Sequence, residues 1–201
     1  MPNSSQSNSA EKYQSYIGGE WVDGEAGSYE VVNPATEEVV GHAPQVTVAQ
    51  SLAATEAAAD AFDAWSRTTP EHRAELLERV ADLVDARSDE LVPLVQAETG
   101  ATMRVTKSMQ VPQVAARFRR YAQGALESRI IPLEPAVMPT TALAPGGVIS
   151  AVGHRAPVGV VSCITSYNFP IVNMAGKIGP ALAMGNTVVV KPAPQDPLGV
   201  L

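Results

Sequence analysis

The sequence has few of the features that mark secreted, membrane or nucleic-acid-binding proteins. It contains one cysteine among 201 residues, so no internal disulfide can form, and this composition is typical of a reducing cytoplasm. No apolar run is long enough to span a bilayer. The formal net charge is -7 and the chain has no basic cluster, which argues against nucleic acid as a partner. Its three histidines are isolated and no metal-ligand spacing occurs, so the sequence predicts no metal site.

The chain does contain enough apolar sequence, 45% of its residues, for one sizeable core in one or two domains. The polar start, residues 1–11, lacks the apolar segment of a secretory signal and is expected to be a disordered tail. Gly18 and Gly19 lie between apolar flanks, which predicts a β-hairpin over Tyr16–Val22. The run from Tyr29 to Val40 predicts a second strand–turn–strand unit.

From Thr47 onward the apolar residues recur at helical spacing. Thr47 and Gln50 form a capping box for a first helix, and Pro70 suits the first position of a second. The apolar faces predicted for these two helices comprise Val48, Leu52, Thr55, Ala59 and Phe62, then Leu76, Val80 and Leu83. A third helix is expected to end at Gly100, and a fourth carries Pro112 as a kink and Arg117, Arg119 and Arg120 on a solvated face.

The stretch from Pro157 to Pro192 predicts a strand–helix–strand unit. Two runs of β-branched residues are typical of parallel strands buried on both faces. They are Val158–Ile164 and Val188–Val190. Between them, Pro170 suits the first turn of a helix, and Gly185-Asn186 suits its end. A right-handed crossover would bring the turn before the helix to the carboxyl end of the second strand, which is the edge where such sheets bind ligands.

This stretch resembles the signature region of the aldehyde dehydrogenase superfamily, whose members show a TPWNFP-like turn and a downstream NT-apolar-KP strand. The matching positions are Thr165, Asn168, Phe169, Pro170, Lys177, Gly179–Leu182, Gly185–Thr187 and Lys191-Pro192. Several fixed spacings coincide, so the signal is more specific than a single glycine pattern. The YIGGEW and NPAT pieces also resemble the amino-terminal strands of that family.

The resemblance implies an α/β fold, with an incomplete Rossmann-like parallel sheet and flanking helices that follow an amino-terminal β-hairpin region and a helical segment. After the tail, residues 12–128 would form the amino-terminal strands and helices of the nucleotide-binding domain. Residues 129–154 would form an antiparallel excursion that pairs subunits in the family, and residues 155–201 the first βαβ unit. The excursion implies a homo-oligomer, a dimer or tetramer; an ordinary surface hairpin is the alternative.

Aldehyde oxidation needs a thiolate nucleophile, a donor for the oxyanion, a nicotinamide that takes hydride, and a base. Asn168 matches the family's oxyanion asparagine, whose amide N–H groups can meet the charge that develops on the aldehyde oxygen. The alternative role for Asn168 is to cap the helix that follows. Lys177 matches a family lysine near the active site, and a salt-bridged helix lysine is its alternative.

The resemblance also implies NAD or NADP as the cofactor. The residues that would lie along the dinucleotide are Ile164, Thr165, Ser166 and Tyr167; the family more often has Pro and Trp at the last two positions. Lys191 matches the lysine that hydrogen-bonds the adenine ribose, with a surface lysine as the alternative. Pro194 replaces a glutamate that holds the ribose hydroxyls in many NAD-preferring relatives, so no carboxylate would repel a 2′-phosphate. We therefore expect NADP to be tolerated as well as NAD.

The resemblance assigns Phe169, Asn173 and Gly176 to the substrate pocket. Many relatives carry a bulky aromatic residue at the position of Gly176, so we expect a wider pocket that accepts aromatic or branched aldehydes better than acetaldehyde. Cys163 is not expected to be the nucleophile, because cysteines inside a buried strand behave as inert small hydrophobes. In the family the nucleophile and the base belong to downstream sequence, so this chain alone is expected to be inactive.

The sequence therefore predicts the amino-terminal part of a cytoplasmic, NAD(P)-dependent aldehyde dehydrogenase that oxidises a small-molecule aldehyde, with aromatic aldehydes favoured, to a carboxylate through a cysteine thiohemiacetal. No nucleic acid or membrane is expected as a partner. Two alternatives stay open. A coenzyme A-acylating or phosphate-reducing relative shares the fold and uses a different acyl acceptor, and a non-catalytic member of the fold would bind cofactor or serve a structural role.

Overall fold

The computed structural model describes residues 11–201, which form eleven short strands and six α-helices. The strands are β1 Glu11–Lys12, β2 Ser15–Ile17, β3 Glu20–Val22, β4 Ser28–Val32, β5 Val39–Pro44, β6 Ile130–Pro132, β7 Ala136–Met138, β8 Gly147–Ile149, β9 Val152–His154, β10 Val160–Ile164 and β11 Thr187–Lys191. The helices are α1 Val48–Ser66, α2 Pro70–Ala86, α3 Ser88–Thr99, α4 Met103–Val105, α5 Val111–Ala125 and α6 Pro170–Ala183. The tail predicted for residues 1–11 lies outside the described residues except for Glu11, which begins β1.

Both predicted amino-terminal β units are present. Strands β2 and β3 pair antiparallel around Gly18 and Gly19. The two glycines have φ angles of +62° and +93°, which glycine adopts at little steric cost. Strands β4 and β5 pair antiparallel, and β1 adds to the other edge of β5 in parallel. Residues 11–44 therefore form two small sheets rather than part of the parallel sheet.

The predicted starts of α1 and α2 are confirmed, but the predicted apolar faces are wrong. Thr47 and Gln50 form the reciprocal capping box, and Pro70 occupies the first turn of α2. Val48, Leu52, Val80 and Leu83 of the predicted faces are nevertheless exposed. The buried side of α2 consists of Arg73, Ala74, Leu77 and Ala81. In these alanine-rich helices small residues recur on several faces, so the large apolar residues alone do not identify the packed one.

Helix α5 packs against α2 and α6, and α3 packs against α2 and α5. Helix α3 ends at Gly100, as predicted, with a left-handed φ of +66°. Pro112 lies where α5 continues directly from the π-helical turn Thr106–Gln110, and the N–H of Val111 donates to the carbonyl of Thr106. The kink expected at Pro112 stays a prediction. The main core lies where α2, α3, α5 and α6 meet, and includes Leu77, Val95, Val111, Phe118, Ala122, Ile171 and Val172.

Residues 129–154 contain four short strands in two antiparallel pairs. Strand β6 pairs with β9, and β7 pairs with β8. Their apolar side chains point mostly to solvent, and Leu143 at the turn is 99% exposed.

Among the described helices, none has both the length and the apolar character of a membrane span.

The strand–helix–strand unit forms as predicted. Strands β10 and β11 pair in parallel, with α6 between them in sequence, and both α1 and α6 pack against the two strands. Pro170 is the first residue of α6, and Gly185 follows its end with a φ of +85°. Asn186 joins the two ends of the unit, because its Oδ1 accepts the N–H groups of Val158 at 2.7 Å and Gly159 at 3.2 Å.

The predicted burial of both strand faces is met only in part. Cys163 is fully buried, whereas Val158 is 86% and Ile164 60% exposed. The parallel sheet has only two strands within residues 11–201, so side chains near its edges have no neighbouring strand to cover them.

Glu98 of α3 anchors the segment that follows β11. Its buried carboxylate accepts the backbone N–H groups of Leu198 at 2.7 Å and Gly199 at 2.9 Å. Burial raises the pKa of Glu98 from 4.5 to about 7, and repulsion from Asp196 adds to this, although the two hydrogen bonds oppose it. Burial also raises the pKa of Asp196 from 3.8 to about 7. Both carboxyl groups therefore bind a proton more readily in the folded chain than in the unfolded chain.

We expect the free energy of unfolding to fall by about 2 kcal/mol between about pH 4.5 and pH 7.5 through Glu98, because the folded chain holds more protons than the unfolded chain over this window. Urea unfolding across this window measures the slope. Glu98→Gln should reduce the slope but leave the part that Asp196 contributes in the same window, whereas Glu75→Gln, at an exposed carboxylate of α2, should leave the slope unchanged. Equal slopes in the wild type and in Glu98→Gln would contradict the assignment.

Candidate active site

The candidate site lies at the carboxyl edge of the parallel strands. Ile164 is paired with Lys191 in the register of the two strands, so the turn after β10 and the end of β11 are adjacent. The N–H of Thr165 donates to the carbonyl of Lys191 at 3.2 Å and closes this edge. The predicted meeting of the turn and the second strand is confirmed.

Two polar side chains near the start of α6, Ser166 and Asn173, fix the orientation of the Asn168 amide. Asn168 Oδ1 accepts from Ser166 Oγ at 2.9 Å and from Asn173 Nδ2 at 3.2 Å. Asn173 Nδ2 also donates to Ser166 Oγ at 2.9 Å, which closes the triangle. The amide oxygen is therefore occupied, and within residues 11–201 the Asn168 NH₂ group has no hydrogen-bond acceptor. It lies on the exposed side of the turn as a pair of available donors.

The alternative role of Asn168, as a helix cap, does not occur in this structure. Phe169 is the residue that caps α6, and no side chain accepts a hydrogen bond from the first turn. Pro170 at the first position has no N–H to be capped. Phe169 itself, predicted to line the substrate pocket, is half-buried and packs against the main core.

Several of the side chains that were predicted to lie along a dinucleotide are exposed at this edge. The side chains of Ile164 and Tyr167 are 60% and 61% exposed, so an apolar and an aromatic face are open to a flat ring. Thr165 Oγ1 is buried and has no partner in the described part of the chain. Lys191, the last residue of β11, and Pro194, three residues further on, are both exposed. A nucleotide cofactor would use an unpaired hydroxyl, an exposed aromatic face and a cation at a sheet edge.

Cys163 and Lys177 lie close to each other below this edge. Cys163 is fully buried, as predicted, and burial raises the pKa of its thiol, although the positive charge of Lys177 opposes the shift. A thiol with a raised pKa in a buried strand is a poor nucleophile. Lys177 is exposed and makes no salt bridge within residues 11–201, so its salt-bridged alternative is not observed there.

A concavity of about 390 Å³ opens beside the Asn168 triangle. It is lined by Arg117, Ile164, Ser166, Asn173, Gly176 and Lys177. The space above Gly176, which we expected to widen the pocket, is taken by Arg117: a Cβ at Gly176 would lie 2.7 Å from the Arg117 Nη1 atom. The guanidinium of Arg117 therefore shares the space that the absence of a side chain at position 176 leaves, and a preference for aromatic or branched aldehydes stays a prediction.

Two features of the site were missed from the sequence. Arg117 was expected on a solvated face, yet it lines the concavity. The sequence also did not predict that Ser166 and Asn173, which line the concavity, hydrogen-bond to Asn168 and to each other. Asn173 is a polar residue in the apolar first turns of α6, and that departure from the helix pattern could have drawn attention to it.

Comparison with known proteins agrees with this geometry. A family model described as the aldehyde dehydrogenase family matches residues 21–201. The chain is 38% identical over 193 residues to phenylacetaldehyde dehydrogenase from Pseudomonas fluorescens, covering 94% of this chain and 38% of that relative. It thus spans little more than a third of the length of the curated relatives that it matches.

Solved structures show the same fold at similar identity. A mutant aldehyde dehydrogenase C from Pseudomonas syringae, in complex with NAD+ and octanal, matches with a TM-score of 0.80 and 34% identity, covering 94% of this chain and 36% of that one. A 3,6-anhydro-L-galactose dehydrogenase in complex with NADP matches with a TM-score of 0.83 and 30% identity, covering 95% and 38%. Both predicted cofactors, NAD and NADP, thus occur in the structural neighbours. The chain belongs to the aldehyde dehydrogenase family.

Proposed function

We propose that this chain is the amino-terminal part of an NAD(P)-dependent aldehyde dehydrogenase that oxidises a small-molecule aldehyde to a carboxylate. The observation that carries the proposal is the Asn168 amide, whose oxygen is held by two donors while its NH₂ group stays available. A preorganised donor of this kind stabilises an oxyanion without reorganising during the reaction. A single cysteine suits the reducing cytoplasm, where we place the enzyme.

The residues of this chain would bind and orient the reactants. Ile164 and Tyr167 would support the cofactor through their exposed faces, and Lys191 would donate hydrogen bonds to its ribose hydroxyls. Bound there, the nicotinamide supplies the hydride acceptor. Asn168 would donate to the aldehyde oxygen when a thiolate adds to the carbonyl carbon and forms a thiohemiacetal. Since Cys163 is buried, that thiolate and the base that activates water would come from sequence outside this chain.

We further propose that the excursion over residues 129–154 pairs subunits in a homo-oligomer. Leu143, Val137 and Val148 are 99%, 80% and 66% exposed, which is an unusual display of large apolar side chains for a free surface. Light scattering that finds a monomeric full-length enzyme would contradict this proposal.

The activity is tested with the full-length enzyme, an aldehyde panel and both nicotinamide cofactors. We expect one reduced nicotinamide for each carboxylate formed, and no turnover by the 201-residue chain alone. Absence of reduced cofactor with every aldehyde would reject the enzymatic proposal. A thioester formed only when coenzyme A is supplied would favour the acylating relative instead.

The position of Pro194 leads to a prediction about the cofactor. We expect kcat/KM with NADP to lie within about tenfold of that with NAD, because no carboxylate at this position repels the 2′-phosphate. Pro194→Glu should lower kcat/KM for NADP by roughly 10- to 100-fold and leave NAD nearly unaffected. Gln195→Glu places the same charge one residue away and serves as the control. Negligible turnover of NADP by the wild type would disprove the expectation.

A further inference from the structure

The guanidinium of Arg117 occupies the place that a side chain at position 176 would otherwise fill. A Cβ on Gly176 would lie 2.7 Å from Arg117 Nη1 and 3.7 Å from Cζ, so the arginine reaches across from α5 to the backbone of α6. Both residues line the concavity beside Asn168. Because Gly176 has no side chain, it leaves room for the guanidinium of Arg117.

Arg117 has no anionic partner within residues 11–201, unlike its neighbour. Arg119 is held by Asp82 at 2.7 Å, Asp85 at 2.8 Å and Glu78 at 3.7 Å, all on α2. No ion pair or side-chain hydrogen bond engages Arg117 in the described chain, although it is only half-exposed. A half-buried guanidinium without a counter-ion favours the binding of an anion.

The rest of the concavity also favours the binding of an anion. Lys177 contributes a second cation, Ser166 and Asn173 are neutral, and none of the six lining residues is acidic. We propose that Arg117, seated over Gly176, binds a carboxylate on the substrate, so that the enzyme oxidises aldehydes that carry an acidic group at the end remote from the aldehyde. This inference rests on the proposed function, and it adds the chemical class of the substrate.

The separation between Asn168 and Arg117 fits a substrate that carries an aldehyde at one end and a carboxylate at the other. Gly176 lies six positions after Pro170, the first residue of α6, which corresponds to a rise of about 9 Å along the helix axis. A chain of several carbon atoms, or one aromatic ring, would separate a carbonyl near Asn168 from a carboxylate near Arg117. The planar fork of arginine can take both carboxylate oxygens, which fixes the substrate's orientation as well as its charge.

The test compares matched substrate pairs in the full-length enzyme: 4-formylbenzoate with its methyl ester, and 5-oxopentanoate with pentanal. We expect the wild type to prefer the acidic member of each pair. Arg117→Met should lower kcat/KM for the acidic members by roughly 10- to 100-fold, mainly through KM, and leave the neutral members nearly unchanged. Arg120→Met removes the same charge from an exposed position of α5 and should alter neither member.

Gly176→Ala is the second variant, because it keeps Arg117 but displaces its guanidinium, and it should reduce the same preference. Thermal midpoints of all variants confirm folding. If neutral aldehydes are oxidised and Arg117→Met changes both members of each pair equally, or the wild type has no preference, the acidic substrate class is wrong while the proposed function stands. If no aldehyde of any kind is oxidised, the proposed function fails, and this inference with it.

Discussion

Replacing Asn168 by alanine in the full-length enzyme should lower kcat by roughly 100- to 1,000-fold and leave KM for the aldehyde nearly unchanged. Loss of one preorganised oxyanion donor has this effect because the hydrogen bond is strongest when the aldehyde oxygen carries negative charge. Steady-state kinetics with a neutral aldehyde and saturating cofactor measures both constants. The stability of the protein should not change, since Asn168 is exposed and caps no helix.

The neighbouring residues provide graded controls for this result. Ser166→Ala removes one of the two donors to Asn168 Oδ1 and leaves the Asn173 bond in place, so we expect a loss of only a few-fold in kcat. Asn173→Leu removes the other donor and should have a similar effect. If Asn168→Ala retains wild-type kcat, or if it lowers the thermal midpoint instead of kcat, the residue has a structural role and not an oxyanion role.

Local rules predicted the elements of this chain well wherever one residue type has one physical role. The capping box of Thr47 and Gln50, the glycine pair of the first hairpin and Pro170 at the start of α6 each act within a few residues. The parallel pairing of β10 with β11 followed from the crossover rule alone. These features do not depend on what the rest of the chain does.

Features that depend on packing between distant elements could not be predicted. The buried face of α2 is set by its contacts with α5 and α6, and it includes an arginine that periodicity would place outside. The π-helical turn before Pro112 also depends on packing against α3 and α5. In both cases the tertiary environment overrides the pattern of apolar residues.

The candidate site shows the same difference between local motifs, which the sequence predicts, and contacts between distant elements, which it does not. Family motifs identified Asn168 and Lys191 because each motif position has a fixed place on the strand–helix–strand unit. Arg117 is distant in sequence and belongs to no motif, and only the approach of α5 to Gly176 brings it into the concavity. Side chains that join two elements are therefore the part of the site that needs the structure.

Arg73 is the buried charge on which the junction of α1, α2 and α6 depends. It is 1% exposed, and its Nε donates to the carbonyl of Ala183 at 3.0 Å, at the end of α6. Its Nη1 donates to the carbonyl of Thr68 and, at 3.1 Å, to Thr68 Oγ1 in the turn between α1 and α2. The last carbonyls of a helix lack intrahelical partners and carry its negative dipole end, so they can stabilise a buried cation in place of a carboxylate.

Arg73→Met should therefore lower the free energy of unfolding by about 2–4 kcal/mol, although methionine fills much of the same volume. The substitution leaves the buried carbonyl of Ala183 and the carbonyl of half-buried Thr68 without their main donor, and the loss at a buried carbonyl costs about 1–3 kcal/mol. Urea unfolding of the two proteins measures the difference. Arg79→Met removes the same charge from an exposed position of α2 and should cost less than about 0.5 kcal/mol. Equal effects of the two substitutions would mean that net charge, and not the hydrogen bonds across the junction, accounts for the contribution of Arg73.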